Sequence, residues 1–182
     1  MKKIMFSDAF CLTKAVLNGS KTMTRRVLKE GTPLGNWEET AKCLPYKVGE
    51  VVAIAQNYKE VYPNADFEMV DGNFMTESAG WTNKMFVRAD LMPLHIEFTD
   101  VKAERLQDIS DEDCLREGIR YYHSSDKRWS NNSGYGYHIP KNGLHLFDTP
   151  YEAFANLFER ISGKGTWESN PFVVAYSFEL VD

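Results

Sequence analysis

The sequence predicts an α+β domain in which short helices alternate with the dissimilar strands of a small mixed β-barrel. Residues 94–99 alternate apolar and polar side chains, as a half-buried strand does, and residues 51–55 form a compact apolar run that is typical of a buried strand. A third strand is predicted at Phe172–Leu180. No GxGxxG, Walker, HExxH or GxSxG motif occurs, which argues against a Rossmann-type sheet and the enzyme classes that carry those motifs.

Length and composition indicate one domain, residues 1–182, with insertions near 58–85 and 120–148. Hydrophobic residues make up 43% of the chain and aromatic residues 13%, which is enough for a packed core. No apolar run approaches the roughly 20 residues that span a bilayer. The three cysteines are odd in number and include no CxxC pair. We therefore expect a cytoplasmic protein without a disulfide framework, a metal, a cofactor or a membrane segment.

Helix boundaries are marked by capping residues. Residues 7–18 are predicted to form a helix with Ser7 as its N-cap and Gly19 after its end. A second helix is predicted from a capping box at Ser110 to Gly118, and a third from Thr149, which precedes a proline, to a glycine at 163. A short strand is predicted at 86–88, before Pro93.

The 120–148 insertion is rich in aromatic residues among glycine, serine and asparagine. On a flexible loop, such side chains stack on unpaired bases, and Lys127 and Arg128 would add positive charge. The alternative is a surface loop whose aromatic side chains fold back onto the domain. Histidines in this region match no metal-binding spacing. The aromatic residues are Tyr121, Tyr122, Trp129, Tyr135 and Tyr137.

Residues 19–26 are the segment richest in side chains that can bind a ligand or take part in catalysis, because they include Lys21, two threonines and two adjacent arginines. Guanidinium groups are forked donors suited to phosphate or carboxylate. Residues 1–30 carry a net charge of +5 within a chain whose total is −5, so a local anion site is compatible with an acidic body that disfavours general binding to duplex DNA. A solvated turn leading into a strand is the alternative interpretation.

Three ordered segments resemble the ASCH family, a branch of the PUA-like superfold. Residues 19–26 are similar to its opening signature, and residues 101–110 followed by 117–119 to its second block, in the version common in phages and prophages. Residues 163–172 are similar to its third block, which typically reads Gly-Lys-Gly-Ser-Trp-Glu-Ala-Asn-Pro-Trp. The resemblance implies a small bent β-barrel flanked by helices, with a cleft lined by the Lys-Thr-x-Thr segment.

The resemblance also implies candidate functions. Related PUA-like domains bind RNA, and one small bacterial ASCH branch hydrolyses N4-acetylcytidine and similar amides. The catalytic trio proposed for that branch falls here on Lys21, Thr24 and Glu117, and a nearby arginine falls on Arg26. A threonine hydroxyl needs a base to become nucleophilic, and a lysine serves as that base only when its pKa is lowered.

The expected ligand is an RNA, a nucleotide or a modified nucleoside. Relatives of the phage type often carry Val-Arg-Glu-Thr-Trp after the first core strand, where this chain has Ile-Ala-Gln-Asn-Tyr, so a changed preference is expected there. The candidate substrate-binding residues are Thr22, Arg25, Arg26, Gln56 and Tyr58.

Four interpretations stay open at this point. The cleft binds RNA, a nucleotide or a nucleobase without catalysis; or it is a metal-free amidohydrolase with Thr24 as nucleophile, Lys21 as base and Glu117 as acid/base. Alternatively, Glu117 pairs with Lys21 or Arg26 merely to close the barrel, or the chain is a non-catalytic phage adaptor that binds a host protein.

Overall fold

The computed structural model describes residues 1–123, 133–140 and 142–182. Its strands are β1 (Lys3–Ile4), β2 (Met23–Val27), β3 (Val51–Ile54), β4 (Met69–Val70), β5 (Asn73–Phe74), β6 (His95–Arg105), β7 (Arg120–Tyr122), β8 (Gly134–Ile139), β9 (Gly143–Phe147) and β10 (Phe172–Leu180). Its α-helices are α1 (Leu12–Leu17), α2 (Trp37–Cys43), α3 (Tyr58–Val61), α4 (Asp111–Arg116), α5 (Pro150–Ser162) and α6 (Thr166–Ser169). The predicted α+β class is confirmed.

The largest sheet has the strand order β1-β3-β6-β10-β2, in which β1 runs parallel to β3 and the other pairs are antiparallel. The edge strands β1 and β2 approach each other, because Arg26 Nη2 donates to the carbonyl oxygen of Met5 at 2.9 Å, just beyond β1. Strand β10 lies between β2 and β6 and aligns Ala175 with both Arg25 and Lys102. The small alanine leaves room for longer side chains from the neighbouring strands to meet on this face of the sheet.

The main core fills the space between this sheet and α5. Helix α5 contributes Phe154, Leu157 and Phe158, which are buried together with sheet residues such as Ile96 and Tyr176. Two of the three predicted N-caps are confirmed. Thr149 accepts a hydrogen bond from the backbone of the helix it precedes, and so does Ser110.

Two predicted elements are wrong. Residues 7–18 do not form one helix, since Cys11 adopts a left-handed conformation (φ 56°) that separates a 3₁₀ turn from α1, and Ser7 makes no side-chain capping bond. Residues 86–88 do not form a strand, because 3₁₀ turns flank Val87. The Lys3 ammonium donates to the carbonyl oxygens of Met85 and Val87, so a side chain satisfies these groups in place of a neighbouring strand.

The 58–85 insertion contains α3, the β4–β5 hairpin and several 3₁₀ turns. A second apolar cluster includes Tyr58, Met75 and Val87 and packs this segment against the end of β3. The insertion is therefore organised around its own buried side chains.

The 120–148 insertion is not the predicted loop throughout, because β7, β8 and β9 form a three-stranded antiparallel sheet. Tyr137 is buried and stacks on His145, which agrees with aromatic side chains that fold back onto the domain. Tyr121 is exposed and contacts Tyr135 edge-on. Lys127, Arg128 and Trp129 lie outside the described residues.

Candidate ligand-binding cavity

A cavity of about 700 Å³ lies between β2, α5 and the chain on either side of α2. One wall is apolar and comes mainly from α5, through Phe154, Leu157, Phe158 and Ile161. The charged groups that line the cavity, together with Thr24, come from the predicted site segment, its continuation and the end of α4: Lys21, Arg25, Arg26, Lys29 and Glu117. A large apolar wall facing a few convergent polar groups is the usual form of a small-molecule site.

Backbone hydrogen bonds fix the segment that carries Lys21. The Lys21 amide donates to the carbonyl oxygen of Ala15 at 2.9 Å, and the Thr22 amide donates to that of Arg116 at the end of α4, also at 2.9 Å. Gly118 follows Glu117 with φ of 103°, and a Cβ at that glycine would lie 3.6 Å from the Lys21 Cβ. The glycine thus lets α4 turn away immediately beside the lysine.

Lys21 and Glu117 form a buried ion pair. The ammonium donates to Glu117 Oε2 at 2.6 Å and to the Glu117 carbonyl oxygen at 2.8 Å, and the exposed fractions of the two residues are 2% and 4%. Burial lowers the pKa of Lys21, and the charges of Arg25 and Arg26 act in the same direction, while Glu117 opposes them. The pair therefore holds a lysine whose proton is less tightly bound than that of an exposed lysine.

Arg25 is the centre of a larger buried network. Its Nη1 donates to Glu117 Oε1 at 3.1 Å, so that Lys21 and Arg25 each bind one oxygen of the same carboxylate. Arg25 Nε and Nη2 donate to Glu104 Oε1 at 2.8 and 2.6 Å, and Nη2 also donates to Asp113 Oδ2 at 2.6 Å. Burial acts to lower the pKa of Arg25, but Glu117 and the other two carboxylates outweigh it and raise that pKa. All three guanidinium nitrogens are thus engaged within the chain.

Two further cations complete the network at its exposed side. Lys102 Nζ lies 3.0 Å from Glu104 Oε2 and donates to Asp113 Oδ2 at 3.2 Å, and Arg116 Nη1 lies 3.4 Å from Asp113 Oδ1. Burial acts to raise the pKa of Asp113, but the hydrogen bonds from Arg25 and Lys102 outweigh it and hold that pKa below its usual range. Asp113 therefore stays ionised at neutral pH, and its charge is compensated by the three cations around it.

Arg26 and Thr24 line the cavity beside the ion pair. Thr24 is 7% exposed. Arg26 uses Nη2 to bind the Met5 carbonyl oxygen, while its buried Nε has no hydrogen-bond partner among the described residues. A buried guanidinium nitrogen without a hydrogen-bond partner is costly in free energy, because it has lost its hydrogen bonds to water.

The other predicted substrate-binding residues do not line this cavity. Thr22 Oγ1 accepts a hydrogen bond from Arg116 Nε at 3.4 Å. Tyr58 is buried in the second core, where its hydroxyl accepts from the Arg88 amide at 2.9 Å. Gln56 lies beside the same core, and its backbone amide donates to the Met92 sulfur at 3.4 Å.

Sequence reasoning did not identify Glu104 or Asp113 as part of the site. Asp113 lies in the first turn of α4, where an acidic side chain stabilises the helix, so its presence there needed no functional role. Its spacing of four residues from Glu117 was the available signal, because this spacing places both carboxylates on one helix face. No sequence pattern indicated a role for Glu104, because its ion pair with Arg25 depends on the order of the strands in the sheet.

Neither a metal-binding group nor a membrane-spanning helix occurs in the described part of the chain. Over residues 1–123, 133–140 and 142–182, no three His, Cys, Asp or Glu side chains gather in an arrangement that could hold a metal ion. Within the same residues, every helix is too short or too polar to cross a membrane.

Comparisons with known proteins identify similar structures. No protein-family model and no curated protein matches the sequence. The chain is similar to a protein of the DUF984 family model from Enterococcus faecalis, with 16% identity over 100% of this chain and 77% of that chain and a TM-score of 0.43. It is also similar to an ASCH domain from Lactobacillus crispatus, with 14% identity over 98% of this chain and 78% of that chain and a TM-score of 0.42. At these values, function has to be argued from the residues of this chain.

Removal of the Arg25 guanidinium is expected to destabilise the fold strongly. Arg25→Met leaves three carboxylates without their shared partner, at a cost of about 3–5 kcal/mol in the free energy of unfolding. Urea denaturation monitored by circular dichroism measures the change. The matched control is Arg88→Met, which removes an arginine that forms exposed ion pairs with Asp71 and Asp90 and should have a much smaller effect. Equal losses in the two variants would contradict the role given to Arg25.

Asp113 is expected to contribute to acid sensitivity. A carboxyl group whose pKa is lower in the folded than in the unfolded chain adds stability above about pH 4, and that stability is lost as the pH falls through the folded-state value. Asp113→Asn should therefore make the free energy of unfolding less dependent on pH below about pH 5. Denaturant titrations across the acidic range test this, with the exposed Asp66→Asn as control. Superimposable pH profiles for Asp113→Asn and the wild type would refute the assignment.

Proposed function

We propose that the 700 Å³ cavity binds a nucleotide, either free or as an unpaired nucleotide of RNA. The observation that carries the proposal is the convergence of Lys21, Thr24, Arg26 and Glu117 on one cavity with an apolar wall. A base is a flat, largely apolar ring with a polar edge, and the α5 wall offers Phe154 and Phe158 for its faces.

The polar groups divide naturally between the two parts of such a ligand. Arg26, with a buried Nε that lacks a partner, and Lys29 would hold the phosphate, because both are cations on the wall formed by β2 and its continuation. Thr24 and Glu117 would face the base edge, where a hydroxyl and a carboxylate oxygen can accept from an exocyclic amine. Arg25 is saturated by its own carboxylates and so would position Glu117 without touching the ligand.

Binding is expected to depend on the Arg26 side chain and on salt. Arg26→Ala should weaken the binding of cytidine, uridine, adenosine or guanosine monophosphate by about tenfold or more, because a charge-assisted hydrogen bond is worth about 1.5–3 kcal/mol. Isothermal titration calorimetry at two ionic strengths measures this, with a short single-stranded RNA as a further ligand and Arg88→Ala as the matched control.

The binding proposal fails if nucleotides and the RNA leave the heat signal unchanged. It also fails if Arg26→Ala and Arg88→Ala bind equally well. A loss confined to the RNA would instead indicate that the cavity recognises a nucleotide only within a strand.

A second candidate function, a metal-free amidohydrolase acting on N4-acylated cytidine, is favoured by one further observation. Thr24 lines the same cavity as the buried Lys21–Glu117 pair, and burial lowers the pKa of that lysine. In the proposed reaction, Thr24 Oγ attacks the acyl carbon while neutral Lys21 takes the hydroxyl proton. Glu117 orients Lys21 and relays the proton that Lys21 has taken to the departing amine as the C–N bond breaks. Water then hydrolyses the threonine ester, which releases the carboxylic acid and regenerates the Thr24 hydroxyl.

Turnover of N4-acetylcytidine should disappear in Thr24→Ala and recover in part in Thr24→Ser, which keeps the hydroxyl. The change in ultraviolet absorbance on formation of cytidine gives the rate, and thermal unfolding of each variant confirms that it is folded. Ser20→Ala, another hydroxyl deletion near the cavity segment, serves as control. Absence of turnover by the wild-type protein at high enzyme concentration would exclude this substrate and leave nucleotide binding as the function.

A further inference from the structure

A second cavity, of about 340 Å³, shares a lining residue with the first. Leu12 belongs to the lining of both cavities, so the two are separated by about one side chain. The second cavity is bounded by α1, the start of β7 and the middle of β8. Its lining includes Phe10, Cys11, Lys14, Arg120, Tyr122 and His138.

A cysteine and a histidine face each other in this second cavity. Cys11 Sγ lies 3.6 Å from His138 Nδ1, a distance at which the thiol proton can pass to the imidazole. Cys11 is partly exposed and forms no disulfide among the described residues. A thiol beside a histidine is the usual arrangement of a nucleophilic cysteine, because the imidazolium that forms stabilises the thiolate.

Two cationic side chains line the cavity that contains Cys11. Lys14 on α1 and Arg120 on β7 both line the cavity, and Arg120 is held by hydrogen bonds to Asn18 Oδ1, at 3.1 Å, and to the Ser20 hydroxyl. The titratable neighbours on the facing strands are Tyr122 and Tyr137, and burial raises the pKa of both hydroxyls, which therefore stay neutral.

The nearest carboxylate on the same segment as Cys11 is directed elsewhere. Asp8 accepts a hydrogen bond from Thr13 Oγ1 at 2.5 Å and pairs with Lys84 at 2.7 Å. Among the residues that the structure describes, the lining of the second cavity contains two cationic side chains, Lys14 and Arg120, and includes no Asp or Glu.

We propose that Cys11 is a reactive thiol and a site of reversible S-thiolation by small anionic disulfides. His138 accepts the thiol proton, and the Cys11 thiolate attacks one sulfur of the disulfide. A new S–S bond forms to Cys11 as the original S–S bond breaks, and the released thiolate carries away the electron pair. Lys14 and Arg120 attract the carboxylates of the incoming disulfide.

The other cysteines differ from Cys11 in their surroundings. Cys114 is buried, and burial raises its pKa to about 12, so its thiol is inert in the folded chain. Cys43 is exposed at the end of α2 and lines the first cavity. A Cys43→Ser background therefore isolates the reaction of Cys11.

The test measures thiolate release from an anionic aromatic disulfide, dithiobis-nitrobenzoate, and from neutral dithiodipyridine. In the Cys43→Ser background we expect one fast-reacting thiol per chain, absent when Cys11→Ser is added. His138→Asn should slow the reaction at pH 7 by about tenfold, because the thiolate fraction falls with the loss of the imidazolium. The exposed Lys14→Gln should lower the rate with the anionic reagent about threefold or more and leave the rate with the neutral reagent unchanged.

The proposal is overturned if Cys11 reacts no faster than free cysteine and shows no preference for the anionic reagent. If His138→Asn does not fold, as judged by thermal unfolding, the pH profile of Cys11 with its histidine intact decides. A half-maximal rate below the pKa of free cysteine, about 8.5, supports the pair, and one at or above that value refutes it. Because the assay contains no nucleotide, a negative result for the Cys11 proposal can be distinguished from a negative result for the nucleotide proposal.

Discussion

The rest of the structure depends on one buried carboxylate, that of Glu117, whose negative charge must be balanced by cations of the chain. A carboxylate with 4% exposure costs several kcal/mol in free energy unless donors surround it, and here each oxygen has a cationic donor. Lys21 comes from the turn before β2 and Arg25 from β2 itself, so the compensation holds α4 against the edge strand of the main sheet. Arg25 in turn requires Glu104 and Asp113, which extends the network across β10 to β6.

This constraint decides which polar groups remain for a ligand. Lys21 and Arg25 are committed to carboxylates of the chain, whereas the neighbouring Arg26 keeps a buried nitrogen without a partner among the described residues. The apolar wall from α5 completes the cavity without competing for hydrogen bonds. The buried ion pairs on one side of the cavity and the apolar wall on the other are the basis for proposing a ligand with a flat ring and an anionic group.

The break in the first predicted helix links the two cavities. Cys11 has a left-handed conformation at the break, and Leu12, which follows it, lines both cavities, whereas Lys21 lines the first and Cys11 the second. His138 lies on β8, within the insertion that was predicted to be a loop, and contacts the thiol. The contact between Cys11 and His138 thus depends on two elements that were not predicted, the break at Cys11 and strand β8.

The sequence by itself determined the features that depend on near neighbours: the caps at Ser110 and Thr149, strand β10 and the α+β class. It also singled out Lys21, Thr24, Arg26 and Glu117, which the structure brings to one cavity. Only the tertiary structure decided that Arg25 is saturated by Glu104 and Asp113, and that Tyr58 belongs to a second core. The physical reason is that capping and periodicity act over a few residues. Pairing of buried charges depends on strand order, which brings together residues nearly 80 or 90 positions apart.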